Sequence, residues 1–178
     1  MNKLISNQKG KIRNTAIFIM FVFILLTAFI VLLNVDSCVI LNNCSEEKVV
    51  YDTAKVYFET KSDRIPLTVE LALDNEQRAK GLMDRPYLDP NWGMLFIMSS
   101  EAKQTFWMKN VLIPLDMIFL NKDKKVIDIK ENVPICDPGE TCPYYTSDEK
   151  ALYVVEVNSG WSKSKKISLG DTMVLTAD

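Results

Sequence analysis

Within a dozen positions, Thr105 to Asp116, the chain sets an indole, an ammonium, an amide and a carboxylate among apolar residues. Polar groups so close to a core cost free energy unless they are paired or used. If Thr105 to Lys109 is extended, Trp107 and Lys109 share one face, while Phe106 and Met108 point the other way into the core. That spacing puts a cation beside an aromatic surface. Pro114 turns the chain so that Asp116 returns toward the same face, and Arg85 arrives from the loop between Gly81 and Gly93. The expected site is one polar pocket rimmed by Arg85, Trp107, Lys109, Asn110 and Asp116 over a floor of Phe106, Met108 and Phe119.

An aromatic platform with polar neighbours suits a sugar or an anionic head group, so a small polar ligand or envelope component leads the functional reading. The rival is a hydrolase or lyase, with Asp116 as base and Lys109 or Arg85 as electrostatic stabiliser. Structural readings stand beside both. The indole can cover the sheet with the lysine stem along it, and Asp116 can cap the backbone of the turn at Asn110 to Ile113. Arg78 reads as a tie between helix and sheet, and Asp171, after Gly170, as a turn residue. The absence of histidine removes Ser-His, Cys-His and His-metal arrangements together. No glycine-rich phosphate loop follows a strand, and no cofactor or metal is called for.

Four cysteines fall into two equal spacings, Cys38-x5-Cys44 and Cys136-x5-Cys142. In an oxidising compartment local pairs are the simplest of the three possible connectivities. Pro138-Gly139 lets the second loop turn so that its ends meet, and such a closure contributes roughly 2 kcal/mol in the chain-entropy model. The spacing is not that of a zinc site. The stapled stretch from Val133 to Glu149, with Tyr144 and Tyr145, adds a third reading, an accessory protein that docks a partner through this loop.

The elements that position these residues follow from periodicity. Val56 and Phe58, then Ile65, Leu67, Val69 and Leu71, alternate as two strands joined at Lys61-Ser62-Asp63, with Pro66 suggesting that the second strand starts at an edge. Asp74 with Gln77 opens a short helix that ends at Gly81. Met94 to Met98, Thr105 to Lys109, Met117 to Leu120, Val126 to Ile129, Leu152 to Val157 and Thr172 to Leu175 read as further strands, the Met94 and Thr105 strands as neighbours. The expected fold is mainly β, a small sandwich or barrel with one or two short helices.

A single transmembrane helix is expected ahead of it. Residues 15–33 carry no charge, glycine or proline, and a bilayer needs about 20 such residues. Lys3, Lys9, Lys11 and Arg13 before the run place the N-terminus in the cytoplasm and the rest outside. The domain plan is thus a basic cytoplasmic segment 1–14, a membrane span 15–33, a stalk 34–50 and an extracytoplasmic domain 51–178. Those four basic residues are taken from 21, so 17 face all 23 acids beyond Leu33, a balance of −6 that disfavours nucleic acid as a partner.

Several motifs together resemble one family. They are Arg78-x-x-Gly81-Leu82-Met83, Gly93-Met94-Leu95-Phe96, Phe106-Trp107-Met108-Lys109-Asn110 with Ile113-Pro114-Leu115-Asp116, Pro134-x-Cys136 with Cys142-Pro143, Glu156-x-x-x-Gly160 and Gly170-Asp171. In this order, from about Asp52 to the C-terminus, they resemble the domain of unknown function 192 family. The resemblance implies a compact, mainly β domain, often exported, with no established activity. Around Met83-Asp84-Arg85 the arginine matches the family while its neighbours vary.

Mass spectrometry of the protein purified without reductant should find Cys136 joined to Cys142. Two free thiols there would remove the staple.

Overall fold

The computed structural model describes residues 49–137 and 139–176, with helical positions at 20, 22, 24–27 and 29. The chain divides into two units, Met1–Lys48 and Val49–Asp178. Among the described residues no helix is long and apolar enough to cross a membrane. The expected transmembrane helix over residues 15–33 is corrected accordingly, and with it the single-pass anchor, its topology and the location built on them. Most of that segment, and Cys38 and Cys44, lie outside the described residues.

In the second unit nine strands and two short helices follow in order: β1 (Asp52–Glu59), β2 (Arg64–Ala72), α1 (Asn75–Lys80), β3 (Trp92–Ala102), β4 (Thr105–Trp107), β5 (Leu115–Leu120), β6 (Val126–Val133), β7 (Tyr144–Thr146), β8 (Ala151–Asn158), α2 (Trp161–Ser164) and β9 (Thr172–Leu175). One sheet has seven strands in the order β6-β5-β8-β3-β2-β1-β9, and β4 and β7 form a separate two-stranded ribbon. The mainly β reading with few short helices stands. A closed barrel does not: β6 and β9 are the two edges, and they meet at one end only, through a bridge between Lys125 and Thr172.

Local chemistry accounts for the elements that sequence periodicity marks. Thr60 N–H donates to Asp63 O at 2.9 Å to close the β1–β2 turn. At α1 the Asp74 carboxylate accepts from Gln77 N–H at 2.8 Å and the Gln77 side chain accepts from Asp74 N–H at 3.3 Å, a reciprocal capping box. Gly81 ends this helix with φ 48°. Pro66 lies on an inner strand, yet β2 pairs with β3 only from Thr68 onward, so the missing N–H interrupts no ladder on that side.

The neighbours of β3 correct an expectation. They are β2, in parallel, and β8, antiparallel, and not the strand at Thr105. With both edges of β3 occupied, the chain leaves the sheet, and Gln104 fixes its exit. Gln104 Nε2 donates to Ala151 O at 3.0 Å, its backbone N–H donates to Ser147 Oγ at 3.0 Å, and Ser147 N–H donates to Gln104 O at 2.9 Å. These contacts start the ribbon beside β8.

The large sheet is buried on both faces. Leu95, Ile118, Val155 and Val157 join Phe58, Trp161 and Met173 in one core, while Met94, Met117 and Val154 join Phe96, Met108 and Phe119 in the other. Inner strands covered on both sides read as continuous apolar runs, which is why all six residues of β5 are buried. Glu156 lies between Val155 and Val157 and so faces the second core, paired in register with Met94 on one side and Met117 on the other. Burial pushes its carboxyl up to about 8.

The unfolded carboxyl titrates near 4.5 and the folded one near 8, so the folded chain holds a proton that the unfolded chain has released. The stabilising contribution is therefore complete below pH 4.5 and is lost as pH rises toward 8. Denaturant titrations should show stability falling between pH 5 and 8, with Glu156→Gln removing most of that slope. An unchanged slope in the variant would place its origin elsewhere.

Candidate functional site

The ribbon decides which residues of the Thr105 to Asp116 stretch meet. Trp107 pairs with Tyr144 in register, and the two rings stack with centroids 6.0 Å apart and planes 9° from parallel. Phe106, one residue earlier, turns inward and packs edge-on against Phe96 at 5.0 Å and Phe119 at 6.0 Å. The alternation expected for this segment therefore holds, although the strand stops at Trp107. Lys109 Nζ lies 5.1 Å from the Trp107 ring centroid. At a partly exposed site such a contact contributes about 0.5–1 kcal/mol.

A pocket of about 520 Å³ opens between this ribbon and the loop closed by Cys136 and Cys142. The two Cα atoms of the staple are 5.5 Å apart, and both cysteines line the wall. Trp107, Leu112, Ile135 and Tyr144 supply apolar surface, Lys109, Asn110 and Thr141 neutral or cationic groups, and Asp84, Asp137 and Glu140 carboxylates. Asp84 and Asn110 both hold positive φ, 63° and 56°, and Asp84 N–H donates to Asn110 O at 2.8 Å. Asp and Asn tolerate that conformation better than other side chains, so these types suit the place where two loops touch.

Of the five residues expected to share a pocket, the structure brings three together: Trp107, Lys109 and Asn110. Arg85 is not among the lining residues. Its guanidinium pairs with Glu70 at 2.6 Å and lies 5.3 Å from the centroid of the Tyr51 ring. It is half-buried in a pair with the sheet and does not rim the pocket. Asp116 is fully buried and accepts three backbone N–H groups, from Asn132 at 2.9 Å, Gly160 at 3.0 Å and Ser162 at 2.9 Å. It is scaffold, but it does not cap the turn at Asn110 to Ile113. With no access to water and its oxygens engaged, it cannot serve as a general base for a bound substrate.

Arg78 ties helix to sheet as expected, donating to Leu73 O and to Ile97 O, the latter at 2.9 Å. Asp171 accepts from Ser168 N–H at 2.8 Å within its turn. The residues that were missed are Asp84, Leu112, Ile135, Asp137, Glu140 and Tyr144 as a stacking partner. One signal was present: Tyr144-Tyr145-Thr146 is a short run of strand-forming residues directly after Cys142-Pro143.

The profile of DUF192, described as an uncharacterized ACR, matches residues 56–175, which include both strands of the ribbon and the stapled loop. The chain belongs to this family. Two solved structures resemble the DUF192 domain. One is a protein of Sinorhizobium meliloti 1021 described as a candidate transcription regulator, 36% identical, with a TM-score of 0.67 over 72% of this chain and 97% of that one. The other is a protein of unknown function from Novosphingobium aromaticivorans DSM 12444, 33% identical, with a TM-score of 0.64 over 68% of this chain and 84% of that one. No curated protein matches the chain.

The contrast between Asp116 and Lys109 is measurable. Asp116→Ala leaves the buried Ser162 N–H and the part-buried N–H groups of Asn132 and Gly160 without their acceptor and should cost about 3 kcal/mol in chemical denaturation. Lys109→Ala should cost no more than about 1 kcal/mol. The reverse order would mean that the lysine, and not the carboxylate, holds the fold.

Proposed function

We propose that this DUF192 domain is a binding module for a neutral saccharide, held in the pocket between the ribbon and the stapled loop. The observation that carries the reading is the Trp107–Tyr144 stack at the edge of a concavity whose polar lining mixes carboxylates with an amide, a hydroxyl and one ammonium. Tyr144 is 67% exposed and leaves ring surface for the apolar face of a sugar. Asp137, Glu140, Asn110 and Lys109 offer acceptors and donors for hydroxyl groups. A volume of about 520 Å³ lies in the range of small-ligand pockets.

Asp84 is paired with Lys80 at 2.7 Å, which leaves the carboxylates of Asp137 and Glu140 against Lys109 and disfavours an anionic head group. They also speak against a nucleic-acid surface here, whatever the name carried by the relative from Sinorhizobium meliloti. The staple contributes to the pocket directly, because a reduced loop regains freedom that binding must then remove.

Tryptophan fluorescence of the full chain should change saturably with neutral oligosaccharides. Trp107→Ala should weaken binding at least about tenfold, corresponding to about 1.4 kcal/mol. Reducing the disulfide should weaken it as well while the fold remains. Tighter binding of acidic than of neutral sugars, or no response to either class, would overturn the reading. Leu112, Ile135 and Tyr144 are all exposed around the pocket and favour docking of a protein as the second reading. A partner crosslinked through a probe at position 112, with no sugar response, would establish that alternative.

A further inference from the structure

A second concavity, of about 540 Å³, opens between the Tyr87 to Asn91 loop and α2, and it shares no residue with the pocket at the staple. A third, of about 460 Å³, adjoins it through Asn91 and Lys165, which line both. Neither has an aspartate or glutamate in its lining. Each includes Lys165, and the third adds Lys55. Among the described residues neither ammonium has a carboxylate partner.

Most other polar groups there are already engaged. Asn158 Nδ2 donates to Leu88 O at 3.0 Å and Asp89 O at 3.2 Å, Ser159 Oγ to Asn132 Oδ1 at 2.7 Å, and Ser164 Oγ to Trp161 O at 2.8 Å. These contacts build the wall. Trp161 is different. It lines the second concavity and is only 5% exposed, with its ring 5.9 Å from that of Phe58, and among the described residues its indole N–H has no acceptor. That nitrogen is itself sealed from solvent, so the ring forms part of the wall and senses what enters the concavity without donating to it.

The nearby carboxylates lie outside both linings. Asp116 lies under α2 with three backbone N–H groups on its oxygens, and Asp89 accepts the Tyr87 hydroxyl at 3.2 Å. The polar groups left open to a ligand in these linings include Lys55, Asn91 and Lys165.

We infer that this double concavity binds a phosphate group, with Lys165 and Asn91 at its centre, Lys55 on one side and the Trp161 ring in the opposite wall. Lysine meets phosphate as a point charge without the planar fit that a carboxylate draws from arginine, so a tetrahedral anion suits this set. Val56, Pro66 and Leu67 line the Lys55 end and give apolar surface for the body of a phosphomonoester.

The indole N–H resonances of the full chain provide a site-specific test, because Trp92, Trp107 and Trp161 report on separate places. Inorganic phosphate and phenyl phosphate, each added at constant ionic strength, should shift the Trp161 resonance saturably and leave Trp107 in place. Tighter binding of phenyl phosphate would identify an ester as the ligand, and equal binding the free anion. Lys165→Ala and Asn91→Ala should each weaken the response at least fivefold, with unmoved Trp92 and Trp107 resonances showing that the variants are folded. No Trp161 shift with either phosphate, an equal shift with sodium chloride, or a response that survives both substitutions would overturn the site.

Discussion

Asp116 enters β5 with its carboxylate sealed from water and three backbone N–H groups directed at it. A buried charge is tolerated only when it is this fully hydrogen-bonded. The donors come from β6 at Asn132, from the turn after β8 at Gly160 and from α2 at Ser162, so one side chain ties three segments to β5. Asn132 and Gly160 both hold positive φ, 53° and 79°, and the same junction carries the bond from Ser159 Oγ to Asn132 Oδ1. Trp161 follows directly, inserted against Phe58, so the placement of α2 and of the concavity beside it descends from this carboxylate.

At the staple the organising force is different. The ribbon has only three residues per strand, and two-stranded ribbons are marginal by themselves. Phe106 anchors it from below through Phe96 and Phe119, Gln104 and Ser147 hold its open end to β8, and the disulfide closes the loop that leads into β7. Each of these contacts leaves Trp107 and Tyr144 outside. The aromatic surface is thus displayed by a small element whose own hydrogen bonds would not hold it.

Charge is divided in the same way between structure and surface. Arg85 with Glu70, and Lys130 with Asp128 and Asp148, pair within the fold. Lys109, Lys55 and Lys165 form no such pairs among the described residues, and all three line concavities. Glu156 is the exception on the inside, a carboxyl between two methionine-bearing strands that stays protonated because the core offers it no counter-charge worth its desolvation.

The sequence by itself determined what depends on neighbours within a few positions. The alternation of β1 and β2, the Asp74–Gln77 capping box, the β5–β6 hairpin, the inward Phe106 and outward Trp107, and the closure between Cys136 and Cys142 were all legible, because periodicity and short spacing encode them. The motifs from Arg78 to Asp171 also marked the family. An apolar run read by composition alone led to the membrane span, which no described helix supports. Only the tertiary structure decided which partner each polar group took. Asp116 found its donors 16, 44 and 46 residues away, Arg85 took Glu70 and left the pocket, and Trp107 met Tyr144 across a ribbon that replaced the expected pairing with β3. Those choices are long-range competitions for a limited number of hydrogen-bonding and packing positions, and local pattern carries no record of which competitor wins.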